Sequence, residues 1–115
     1  MSAFPLAAVA AEMTAAAAAH EPQGMLQVAN ELDQFAEVPT NVALAARAYT
    51  LRLQSEYPIH PAVVEVIQEY CVLQAQLAEV ANRIGPTFRQ AHHKDLERFD
   101  SPRTNEQAWD VSNQV

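Results

Sequence analysis

The chain holds one cysteine, one tryptophan and two glycines in 115 residues. Each scarcity removes a class of protein. With Cys71 alone, no intrachain disulfide and no cysteine-based zinc site can form. Two glycines, Gly24 and Gly85, cannot build a glycine-rich phosphate loop or the turns of a β-sandwich. No Gly-x-Ser-x-Gly, His-Glu-x-x-His or Glu-x-x-His occurs, and Ser2, Ser55, Ser101 and Ser112 sit at expected caps, helix ends or in the tail. These gaps argue against an enzyme, and the expected catalytic, metal and cofactor complement is none. No Lys or Arg precedes the apolar run Ser2–Ala19, which carries Glu12 and is mostly alanine. A secretory signal needs a basic start, and a membrane span needs about twenty strongly apolar residues. The expected setting is cytoplasmic, with no membrane association and no recognisable export signal.

What is present is alanine and helical periodicity. Half the letters are hydrophobic, yet ten of the first nineteen residues are alanine. Such a segment is helical by propensity and poor in large core side chains. The length corresponds to one domain able to bury roughly two-thirds of its unfolded surface. The expected fold is all-α: an antiparallel helical hairpin or bundle of four to five helices over residues 1–103. A kink is expected at Gly85-Pro86, and a polar tail over 104–115.

Prolines punctuate the pattern, because the first helical turn tolerates a missing N–H. The first helix is read from Ser2 or Ala3 to Ala19, with Leu6, Val9 and Met13 on one face. A second spans about 22–37, with Met25, Val28, Leu32, Phe35 and Ala36 at three- and four-residue steps and a bend at Val38-Pro39. A third covers about 40–56. Tyr57-Pro58-Ile59-His60-Pro61 is a firm turn, since two prolines three apart cannot lie inside a helix. The fourth helix has the most regular pattern: Val63, Val66, Tyr70, Leu73, Leu77, Val80 and Ile84 alternate steps of three and four. Val64, Ile67, Cys71, Ala78 and Ala81 widen that stripe on one side. This is the seam of a bundle core or of an oligomer.

Charge is unevenly placed. The total is −7, but residues 83–103 carry Arg83, Arg89, Lys94, Arg98 and Arg103 against three acids. That basic segment either pairs with the acidic helices of its own fold or of a second copy, or contacts an anionic partner. Generic nucleic-acid binding is disfavoured by the acidic surface and by the absence of a compact basic recognition helix. The His92-His93-Lys94-Asp95-Leu96-Glu97 cluster reads as a solvated face, because two ligands on one face do not complete a metal site. In the polar tail, Trp109, flanked by Asp110 and Val111, either folds back on the bundle or anchors a partner.

Glu21-Pro22-Gln23-Gly24-Met25, Tyr57-Pro58-Ile59, Phe88-Arg89-Gln90-Ala91-His92 and Trp109-Asp110-Val111 resemble segments of small helical proteins from actinobacterial plasmids and integrative conjugative elements. The resemblance runs over nearly the whole chain but brings no defined biochemical role. The two-armed plan is also similar to the WXG family of type VII secretion substrates, which form helical hairpins, usually dimers, handled by motor ATPases. The Trp-x-Gly turn of that family is absent here, as is its Tyr-x-x-x-Asp/Glu export signal. Tyr49, Tyr57 and Tyr70 are followed four residues on by Leu53, Pro61 and Gln74. The expectation is a non-enzymatic interaction or assembly protein of a mobile element. It would self-associate through the fourth-helix seam and dock a partner, such as an element-encoded motor ATPase, through its tail. The alternatives are a DNA-associated accessory protein using residues 83–103 and a phage-like or filament subunit.

Overall fold

A computed structural model describes residues 4–100, with side chains through residue 97. The described chain is all-α and contains no strand. Six helical segments follow one another: α1 (Pro5–Ala19), α2 (Met25–Asp33), α3 (Glu37–Glu56), α4 (Pro61–Ala81), α5 (Ile84–Ala91) and α6 (His93–Asp100). They form two bent arms, α2–α3 and α4–α5–α6, joined at the Tyr57–Pro61 turn. The main contact runs between α3 and α4, and α5 and α6 lie against α2. The expected tail, and with it Arg103, Trp109, Asp110 and Val111, lies outside the described residues, as does the side chain of Arg98.

Local chemistry sets the ends of these segments. Pro5 and Pro61 open α1 and α4 at the first turn. His60 caps α4, its Nδ1 accepting the Ala62 N–H at 3.0 Å. Three boundaries differ from the sequence reading. The bend in the first arm falls at Gln34–Ala36, not at Val38-Pro39, and α3 starts at Glu37. Pro39 is then the third residue of α3, where its missing N–H leaves no helical bond unmade. Likewise the second arm breaks at Asn82-Arg83, and Gly85-Pro86 lie in the first turn of α5. The α2 helix also begins later than expected, at Met25, because Pro22 and Gln23 belong to the connection from α1.

Gly85 has a packing duty beyond marking a break. A Cβ at this position would collide with the Asp33 carboxylate and lie 3.2 Å from the Asp33 Cα. Its bare backbone lets α5 close on the C-terminal end of α2. Arg89 fastens the same junction. Its Nη2 donates to Asp33 Oδ2 at 2.7 Å and to Asn30 Oδ1 at 3.0 Å, and its Nε donates to Asp33 Oδ2 at 3.2 Å.

The molecule is long and thin, 69 × 30 × 19 Å, with a radius of gyration of 20.3 Å. A compact chain of this length would have a radius of gyration of about 13 Å. Its interior is correspondingly slight. Among the described residues the buried apolar side chains are Ala29, Pro39, Val64, Ala81 and Leu96, and no large side chain is fully enclosed. Thr50, the one buried polar side chain among the described residues, is satisfied by donating to the Ala46 carbonyl at 2.7 Å.

Helix α1 contributes nothing to that interior, since none of its residues is buried. Val9 and Met13, expected on its packed face, are exposed. Alanine methyls offer little surface to bury, so the helix is tied mainly at its two ends. Phe4 packs against Tyr49 with the rings tilted by 50° and their centroids 5.1 Å apart. At the other end His20 Nε2 lies 2.6 Å from Glu31 Oε2, which also accepts from Gln27 Nε2 at 2.7 Å. These two hydrogen bonds, Gln27 first and then His20, hold the Glu31 carboxyl below its usual range.

Candidate functional site

The face that distinguishes this molecule is on α4, and the structure divides the broad apolar stripe there in two. One flank, Val64, Ile67, Cys71, Ala78 and Ala81, is buried or half-buried against the rest of the chain. Cys71 Sγ lies 3.6 Å from the Ala43 carbonyl of α3, which places this flank on the α3 contact. Cys71 meets α3 at Ala43, and small side chains such as these let backbones approach closely. Cys71 is thereby a half-buried packing residue.

The bulkier seam takes no part in the hairpin's own packing. Val63, Val66, Tyr70, Leu73, Leu77 and Val80 are all exposed, from 45% at Tyr70 to 65% at Val66, and only Ile84 is half-buried. Among the described residues, no other helix of the chain covers this stripe. The reason is angular. At 100° per residue the buried flank and the seam are centred roughly 100° apart around α4. One neighbouring helix cannot cover both. Among the described residues, sixteen large apolar side chains are exposed, and six of them form this single stripe.

At its C-terminal end the seam runs into an open groove of about 560 Å³ at the α4–α5 bend. Val80 and Ile84 line it together with Leu32 of α2 and Phe88 of α5, and Arg83 and His92 are its charged and titratable members. The His92 ring lies against Phe88 with centroids 4.6 Å apart, and its Nδ1 is 3.3 Å from Asp95 Oδ2. Both ring contacts run along the chain's own helices.

Of the five cations of the basic segment, the side chains of Arg83, Arg89 and Lys94 are among the described residues, and they differ in their partners. Arg89 is engaged internally by Asp33 and Asn30. Arg83 and Lys94 make no ion pair among the described residues. Among those residues no three of His, Cys, Asp and Glu gather into a possible metal site, and no helix is long and apolar enough to cross a membrane.

The exposure of the seam could not be read from its spacing, which is the same for a core stripe and an oligomer stripe. The available signal was the small-residue content of the flank beside it. Comparison with known proteins adds no assignment: no family model matches the chain, and no curated protein or solved structure is significantly similar to it.

Proposed function

We propose that this chain is a non-enzymatic helical assembly protein whose copies associate through the exposed face of α4. The observation that carries this reading is the unbroken stripe Val63, Val66, Tyr70, Leu73, Leu77 and Val80, left in water along the full length of a helix. Singly exposed apolar residues are ordinary on protein surfaces, but a contiguous apolar patch marks an interaction site. A hairpin with so slight an interior also has an energetic reason to associate, since the missing core can be completed between copies.

The mobile-element setting comes from the sequence resemblance alone. In that setting the segment around Trp109 serves to dock a further partner, such as an element-encoded motor ATPase. Deleting residues 104–115 should abolish capture of that partner and leave helicity intact. An anionic partner at residues 83–103 has less to bind than the cation count implies, because Arg89 is already held by Asp33 and Asn30. Light scattering of the purified protein over a concentration series tests the central reading. Self-association is expected, and a strict monomer at high micromolar concentration refutes it.

A further inference from the structure

From the order of side chains along the seam we infer that two copies pair antiparallel through α4, about a two-fold axis that crosses the seam between Tyr70 and Leu73, level with the midpoint of residues 71 and 72. This deepens the self-association reading above and rests on it. An isologous two-fold contact requires the patch to be complementary to itself. The seam meets that requirement when it is read backwards. Reversing α4 about the midpoint of residues 71 and 72 places Val63 opposite Val80, Val66 opposite Leu77 and Tyr70 opposite Leu73. Every apolar position then meets an apolar position of the second copy, with the two tyrosines near the axis and the smaller valines at the ends. A register shifted by one residue loses this match, because the alternating steps of three and four cease to coincide.

Electrostatics select the same direction. Helix α4 carries Glu65, Glu69 and Glu79, and its first cation is Arg83, just beyond its end. A parallel pair would set each glutamate level with its own copy and align the two helix dipoles. The antiparallel pair opposes the dipoles and brings Arg83 within about 8 Å, along the axis, of Glu65 on the other copy. Glu65 and Glu79 of the two copies come nearly level, but they lie about 110° and 150° around the helix from the seam, on the outer faces. The flanking position nearest the centre becomes Glu69 beside Gln76 of the second copy, without like-charge repulsion.

The area and the angles are sufficient. The six exposed seam side chains present about 550 Å² per copy, or at most about 1,100 Å² for the pair, just above the roughly 1,000 Å² that a specific interface must clear. The angle of roughly 100° between the seam and the α3 contact lets α4 hold α3 and a second α4 at once, as at a corner of a four-helix bundle. In this register the turn that precedes α4 in one copy falls level with the groove of the other. Tyr57 of that turn is 59% exposed and is the large apolar side chain that comes level with the groove lined by Leu32, Val80, Ile84 and Phe88.

Single-cysteine variants test the register. In a Cys71→Ala background, or Cys71→Ser should the alanine variant lose helicity, Val63→Cys and Val80→Cys are made separately. Each is oxidised alone and as an equimolar mixture. The antiparallel register predicts a disulfide-linked dimer from the mixture containing one chain of each kind, and little from either variant alone. The two positions are 17 residues apart, about 25 Å along the helix, so neither can reach its own copy. Efficient 63–63 and 80–80 disulfides would establish a parallel pair and overturn this inference while leaving self-association standing. Association by light scattering without cross-links in any combination would also overturn the register. A monomeric background protein would instead refute the self-association reading beneath it.

Discussion

Replacing Leu77 by lysine separates an exposed apolar residue from an interface residue. In a single copy Leu77 is 53% exposed, so about 100 Å² of its surface already lies in water and the substitution removes little intrachain packing. Surface changes of that kind usually alter stability by less than about 0.5 kcal/mol. In the two-fold pair each Leu77 is covered by Val66 of the other copy, and two leucines are lost per dimer. About 200 Å² of apolar burial at about 25 cal/mol per Å² corresponds to about 5 kcal/mol as an upper value. The lysine stem recovers part of that by lying along the interface, which leaves about 3 kcal/mol, or a rise in dimer Kd of more than a hundredfold. Sedimentation equilibrium measures the Kd, and thermal unfolding at several protein concentrations measures the linked stability. The native chain should show a Tm that rises with concentration, and Leu77→Lys should flatten that dependence. The reasoning fails if Leu77→Lys associates as tightly as the native chain, or if it unfolds at low concentration where both are monomers.

Three other outcomes follow from named contacts. Gly85→Ala should destabilise by about 1–3 kcal/mol, because the added methyl meets Asp33 including its backbone. Helix propensity alone would instead stabilise by about 1 kcal/mol, so chemical denaturation decides the sign. Arg89→Gln should cost about 1 kcal/mol, and amide exchange should rise at the α2–α5 junction rather than along α3 and α4. An unchanged junction would refute the clamp. The third concerns α1 and acid. The carboxyl of Glu31 titrates below its unfolded value in the folded chain. Its contribution is thus complete above the ordinary glutamate range and disappears as pH falls through the lowered folded value. Exchange protection in α1, corrected for intrinsic rate, should fall across that acid window before the α3–α4 hairpin opens. Glu31→Gln should remove the pH step, and simultaneous loss of both regions would refute a locally tied helix.

Much of the architecture is legible in the sequence. Periodicities of three and four named the helices, and two prolines three residues apart named the turn that joins the arms. The bends were legible only to within a few residues. Pro39 and Pro86 are compatible with either side of a break, since proline is accepted in a first helical turn, and packing against the opposite arm chose between them. Gly85 looked like punctuation until Asp33 was placed beside it. Arg89 looked like one of five equivalent cations until α5 lay on α2.

By itself the sequence determined that this chain is helical and two-armed, with an amphipathic fourth helix, because helix propensity and side-chain spacing act within a few residues along the chain. Only the tertiary structure decided which part of the apolar stripe the chain uses for itself. The small flank of Cys71, Ala78 and Ala81 admits α3 closely, and the large side chains of the seam are turned about a quarter-circle away from it. Which side chains remain in water depends on the direction from which another helix approaches. A helix–helix contact made across 28 residues of chain, from Ala43 to Cys71, set that direction here.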